Sequence, residues 1–155
     1  MRQLSRRAAL ALGATIGAGS VALTMTGWSD PASAAAKEAA EEIAKFTGGK
    51  TAVAGKVLIE LPEIAENGNT VPLAITVDAP MTADNYISTI LVVAEGNPLP
   101  SVATFHLTPM SGKAEASTRI RLATTQNIIA VAKTSKGEFL TGQKLVKVTI
   151  GGCGG

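Results

Sequence analysis

One cysteine, Cys153, stands in the run Gly151-Gly152-Cys153-Gly154-Gly155 near the end of the sequence. With no second cysteine in the chain, an intrachain disulfide is impossible. Free cysteine ordinarily packs as a small buried apolar residue, but glycine neighbours bring no side chains to bury it. The residue type and its setting therefore point to sulfur chemistry. The thiolate either bridges to another chain or carries a covalently attached group. Glycine permits most backbone conformations and adds no bulk. Three residues beyond Ile150 extend about 10 Å at roughly 3.3 Å each, enough to enter a pocket while the domain stays outside.

Other chemistries find fewer residues. His106 is the sole histidine. A blue-copper centre needs two histidines with a cysteine and an axial ligand, and structural zinc needs a comparable set, so both fail on inventory. Ser-His-Asp catalysis is compatible with the inventory, but no G-x-S-x-G elbow is present. His106 is read as a strand or surface histidine with a local hydrogen bond, with a partner contact as the alternative. Glu38, Glu41 and Glu42 read as a solvated helix face, and Arg119 and Arg121 as a solvated strand face, with pairing to a partner's acids as the alternative. No metal, cofactor or catalytic residue is expected.

The other end of the chain bears on compartment. Ser5-Arg6-Arg7-Ala8-Ala9-Leu10 is a twin-arginine pattern, with Ala9 where an aromatic is common. An uncharged stretch follows from Ala8 to Ser29, then Asp30-Pro31 and the small-residue run Ala32-Ser33-Ala34-Ala35-Ala36. That order fits an export signal with an A-x-A cleavage site. The stretch is about the ~20 residues of a membrane span, but Gly13, Gly17, Gly19 and Gly27, with Thr15, Ser20, Thr24 and Thr26, make it weakly apolar. Residues 1–34 are expected to be a twin-arginine signal peptide cleaved between 34 and 36, leaving no membrane anchor.

Removing the leader changes the charge. The 14 Lys and Arg lose Arg2, Arg6 and Arg7, and the 12 Asp and Glu lose Asp30, leaving 11 of each. A neutral chain lacks the excess of cations that non-specific nucleic-acid binding requires. The sole Trp leaves with the leader, so the core must come from Val, Ile, Leu and Ala.

Ala35 to Phe46 predicts a helix with a short apolar face at Ile43 and Phe46, an i,i+4 pair from Glu41 to Lys45, and a stop at Gly48-Gly49. From Val53 the pattern becomes short strands and turns. Val57–Leu61, Val71–Val77, Tyr86–Ala94, Val102–Leu107, Ala114–Leu122, Asn127–Ala132 and Leu145–Ile150 read as strands. Asn67-Gly68-Asn69, Gly96-Asn97-Pro98-Leu99-Pro100, Ser111-Gly112 and Ser135-Lys136-Gly137 separate several of them. The Tyr86–Ala94 run suits a buried central strand. About seven strands with frequent turns predict a mainly β, antiparallel, immunoglobulin-like sandwich, with a small barrel as the alternative. The expected plan is a helix over 35–50, a sandwich over 51–150 and a flexible glycine arm over 151–155.

Several stretches together resemble the SoxY family, sulfur carriers of bacterial thiosulfate oxidation. They are Val71-Pro72-Leu73-Ala74-Ile75-Thr76-Val77-Asp78-Ala79-Pro80-Met81, Ala103-Thr104-Phe105-His106-Leu107-Thr108-Pro109, Ser111 to Leu122, and Val148-Thr149-Ile150-Gly151-Gly152-Cys153-Gly154-Gly155. The terminal motif is the specific part, and a second glycine after Gly154 is a small departure. The resemblance implies a periplasmic, non-enzymatic carrier that holds thiosulfate-derived intermediates on Cys153, with Gly151, Gly152, Gly154 and Gly155 as its arm. It further implies a heterodimer with a SoxZ-like subunit. The transient partners it implies are a c-type cytochrome, a sulfate-releasing hydrolase and, where the organism has one, a sulfane dehydrogenase. The rival reading is an exported immunoglobulin-like structural protein crosslinked through its terminal cysteine. A ubiquitin-like carrier acting through Gly154-Gly155 is disfavoured, because its activation consumes cytosolic ATP.

Overall fold

Apolar side chains at alternate positions drive the chain into strands, because an extended backbone sends successive side chains to opposite faces. The computed structural model describes residues 31–152. It shows helix α1 (Pro31–Thr47) followed by β1 (Val53–Ala54), β2 (Val57–Glu60), β3 (Ile64–Asn67), β4 (Val71–Val77), β5 (Ile87–Ala94), β6 (Ser101–His106), β7 (Glu115–Ile120), β8 (Gln126–Thr134) and β9 (Phe139–Ile150). A 3₁₀ turn, Pro109–Ser111, lies between β6 and β7.

The strands form two sheets. In the smaller, β4 lies between β2 and β7, with Val57 opposite Val77 and Val71 opposite Ile120. The larger runs β1-β9-β8-β5-β6, with β3 beside the far end of β9. Leu73 and Ile75 from one sheet meet Ile90, Val92, Ile128 and Val146 from the other in a single core. The expected sandwich is observed. The larger sheet is mixed, since β1 and β3 each run parallel to β9.

Helix α1 makes a third layer. Ala39, Ile43 and Phe46 cover Leu91 and Val93 on the outer face of β5, and the Phe46 ring meets Phe139 edge-on at 5.7 Å. Both faces of β5 are thus buried, with Ile90, Val92 and Ala94 inward and Leu91 and Val93 under the helix. This double burial is why the strand reads as a continuous apolar run rather than an alternating one.

The helix is already formed at Pro31, the first described residue and ahead of the expected Ala35, and ends at Thr47. Gly48 and Gly49 stop it in left-handed conformations, φ 62° and 78°, which only glycine adopts at no steric cost. Lys45 pairs with Glu42 at 2.8 Å rather than with Glu41. That hydrogen bond and the charge of Glu42 hold its pKa above the ordinary lysine value. The lysine is exposed and Glu42 partly so, and such a surface pair contributes little.

Asn67-Gly68-Asn69 is the expected turn, and it forms a corner because it joins β3 and β4, which belong to different sheets. Its local signal is an Asx turn, in which the Asn69 N–H donates to Asn67 Oδ1 at 2.9 Å. Strand β9 begins at Phe139, not Leu145, and runs for 12 residues. Gly142 in its middle resembles a break. It is instead a crossing point, where the chain passes from β1 to β2 through Gly55 and lays the Val57 carbonyl where a Cβ on residue 142 would sit. Among the described residues no helix is long and apolar enough to cross a membrane. The twin-arginine segment and its uncharged stretch lie outside them.

Candidate functional site

The tail that carries the motif leaves the fold at the end of β9. There β3 runs parallel to β9, with Asn67 opposite Ile150. Just beyond, three backbone segments meet. The Gly68 N–H donates to Ile150 O at 2.7 Å, the Leu122 N–H donates to Gly68 O at 2.8 Å, and the Gly152 N–H donates to Leu122 O at 2.8 Å. The tail is therefore seated between the β3–β4 corner and the β7–β8 loop.

Glycine is required there by close approach. A Cβ on Gly151 would fall on the Ala123 carbonyl, and one on Gly152 on the backbone between Gly68 and Asn69. One on Gly68 would strike the Leu122 carbonyl and come within 2.8 Å of the Gly152 nitrogen. All these obstacles are main-chain atoms, which no rotamer change moves aside. The expectation that Gly151 and Gly152 serve as freely swinging links is accordingly revised, since both are held by the domain. Cys153, Gly154 and Gly155 lie outside the described residues.

The loop that receives the tail has its own brace. Asn97, buried at 4% exposure, donates from Nδ2 to Arg121 O at 2.8 Å. Its Oδ1 accepts from the Ala123 N–H and from Gln126 Nε2, each at 2.9 Å. Gln126, also buried, donates to Thr124 O at 3.0 Å and accepts from the Gly96 N–H at 2.7 Å. The Val148 N–H donates to Thr125 Oγ1 at 2.9 Å, tying the loop to β9. Sequence reasoning missed this cluster. Gly96-Asn97-Pro98 reads only as a break, though a buried amide in such a loop needs hydrogen-bond partners.

His106 ends β6, exposed and paired across the sheet with Thr89. Arg119 and Arg121 are both exposed, as expected. Among the described residues no group of three or more metal-ligating side chains comes together. A groove of about 690 Å³ crosses the outer face of the smaller sheet, lined by Glu60, Pro72, Ser117, Arg119 and Lys144 among others. None of the tail-seat residues lines it.

The model of the family described as sulfur oxidation protein SoxY matches residues 43–153. The chain belongs to the SoxY family. The match covers the whole sandwich and runs through the seated glycines to Cys153 itself. Among solved structures, the sulfur carrier protein SoxY from Chlorobium limicola f. thiosulfatophilum is similar at 29% identity and a TM-score of 0.63. That alignment covers 76% of this chain and 97% of the other. A superoxide reductase (neelaredoxin) from Ignicoccus hospitalis aligns at 18% identity and a TM-score of 0.54, over 61% of this chain and 80% of its own. A putative superoxide reductase from Thermotoga maritima aligns at 20% identity and 0.52, over 66% and 89%. These two show a common fold and nothing more. No curated protein sequence matches the chain.

Proposed function

We propose that this SoxY-family chain is a covalent sulfur carrier that binds thiosulfate-derived intermediates on Cys153 and presents them to partner enzymes. The observation that carries this reading is the family match, which extends through the terminal glycines to the chain's one cysteine. The likeness to a solved sulfur carrier over most of its length supports it. In the loading step the Cys153 thiolate and thiosulfate join through a new S–S bond. The pair of electrons released passes to a c-type cytochrome, leaving a cysteine S-thiosulfonate. Hydrolysis then breaks the bond to the terminal sulfur. Water supplies the fourth oxygen of the departing sulfate, two protons are released, and a persulfide stays on the cysteine. A sulfane dehydrogenase, where present, oxidises that sulfur. The chain itself contributes attachment and delivery, not catalysis.

In this reading the leader directs the chain to the periplasm by the twin-arginine route, and the mature domain pairs with a SoxZ-like subunit. A thiol that carries substrate cannot also bridge two chains, so the pairing is non-covalent. The test is Cys153→Ser. The variant should melt like the wild type and still co-purify with its partner under reducing conditions, yet support no thiosulfate oxidation in a reconstituted system. Intact mass of the natively purified wild type should show sulfur or thiosulfonate adducts. Plain disulfide dimers, with loss of assembly in the serine variant, would favour the crosslinked structural protein instead.

A further inference from the structure

We propose, building on the carrier reading, that Asn97 is a positioning residue for the carrier tail. Its side chain holds the Leu122–Thr125 loop as a backbone seat that fixes the tail as far as Gly152.

The two main-chain partners of Asn97 are Arg121 O and the Ala123 N–H. These atoms flank Leu122, whose carbonyl receives the Gly152 N–H. The amide thus straps the residue whose carbonyl holds the Gly152 N–H. Its orientation is set as well. Both the Ala123 N–H and Gln126 Nε2 are donors, so the side-chain oxygen must face them and the NH₂ must face Arg121 O. Gln126 in turn secures Thr124 O, and Thr125 Oγ1 ties the loop to β9 two residues before Ile150. Among the described residues no buried side-chain nitrogen or oxygen lacks a partner, so the brace is complete. A fully satisfied buried polar network rigidifies what it touches.

The consequence is reach. An arm free from Ile150 would carry its thiol on a tether of three residues, about 10 Å. An arm fixed at Gly152 leaves a single step of about 3.8 Å between that Cα and the next. A client enzyme must therefore bring its cleft to this corner of the sandwich. The seat supplies a defined point of departure, which favours productive encounters by holding the reacting group in place.

The test uses the full chain and three readouts. In the wild type the Gly152 amide should exchange more slowly with solvent than in a free peptide of residues 146–155. In Asn97→Ala the Gly152 and Ala123 amides should exchange on the order of tenfold faster, the effect of one lost buried hydrogen bond, while Ile90 and Val92 keep their protection. Alkylation of Cys153 by iodoacetamide should be undiminished, whereas cytochrome-dependent thiosulfate loading should fall about tenfold in kcat/KM. Gly152→Ala leaves Asn97 untouched and should reproduce the same split, which carries the test if Asn97→Ala fails to fold. Free-peptide exchange at Gly152 in the wild type would overturn the proposal. So would unaltered seat amides in Asn97→Ala, or alkylation that falls in parallel with loading. If the wild type takes up no thiosulfate while Gly152 protection still depends on Asn97, the carrier reading fails and the seat stands.

Discussion

Replacing Gly142 with alanine tests how the two sheets are joined. The residue sits mid-strand in β9 opposite Ala130, and a Cβ there would strike the Val57 carbonyl oxygen and come within 3.1 Å of the Val57 Cβ. Overpacking of this kind costs about 1–3 kcal/mol. Alanine recovers about 0.5–1 kcal/mol over glycine in a strand interior. Because the obstacle is a main-chain carbonyl, relief requires displacing β2 itself, which places the overpacking cost near its upper end. The net loss should be about 2 kcal/mol. With a urea m-value of about 1.5 kcal/mol per M, the unfolding midpoint should fall by roughly 1.3 M. Gly48→Ala is the control. Gly48 has φ 62° and open space around it, so its cost comes from the backbone alone, about 1 kcal/mol. Equilibrium urea unfolding of both variants decides the matter. A Gly142→Ala protein as stable as the wild type, or less affected than Gly48→Ala, would refute the close crossing of β2 over β9.

Two further outcomes are expected. Gly68→Ala should cost about 1–2 kcal/mol by disrupting one or two of the corner hydrogen bonds, with faster exchange at Gly152, and an unchanged midpoint with unchanged exchange would contradict the seat. Phe46→Ala should cost about 1.5–3 kcal/mol for a half-buried ring that packs on Phe139. It should loosen the end of α1 while the strands persist, seen as reduced helical circular dichroism with retained β signal, and a wild-type melt would mean that the helix does not cover β5.

The strands legible in the sequence were those with a face to declare. Val71, Leu73, Ile75 and Val77 alternate and are buried in that order, and β5 announced its double burial by having no polar face. Strands β1 and β3 were not legible. At two and four residues they carry no period, and their place is decided by the edge that β9 offers. The first half of β9 was hidden by Gly142, whose meaning lies in Val57, a residue brought over it only by the crossover. At the site, Cys153 stood out because a thiol is a rare chemical type in an unusual setting. The seat was hidden for the opposite reason. It is made of backbone atoms from residues far apart in the chain, and glycines kept for close approach read the same as glycines kept for freedom. Asn97 was hidden too, since a loop residue reveals a buried amide only when its partners are in place.

Strand β9 has a mechanical meaning as well. It is the strand from which the tail continues, and it is gripped along its length: by β8 from Phe139 to Val146, by β1 at Leu140 and Thr141, and by β3 from Lys147 to Ile150. Ladder hydrogen bonds between strands lie across the strand axis. A pull on the tail along that axis therefore loads the ladders in shear, sharing the force over many bonds at once instead of peeling them one by one. Any pull on the tail therefore works against a firmly rooted anchor, with the single hydrogen bond at Gly152 the first link in line and the whole sandwich behind it.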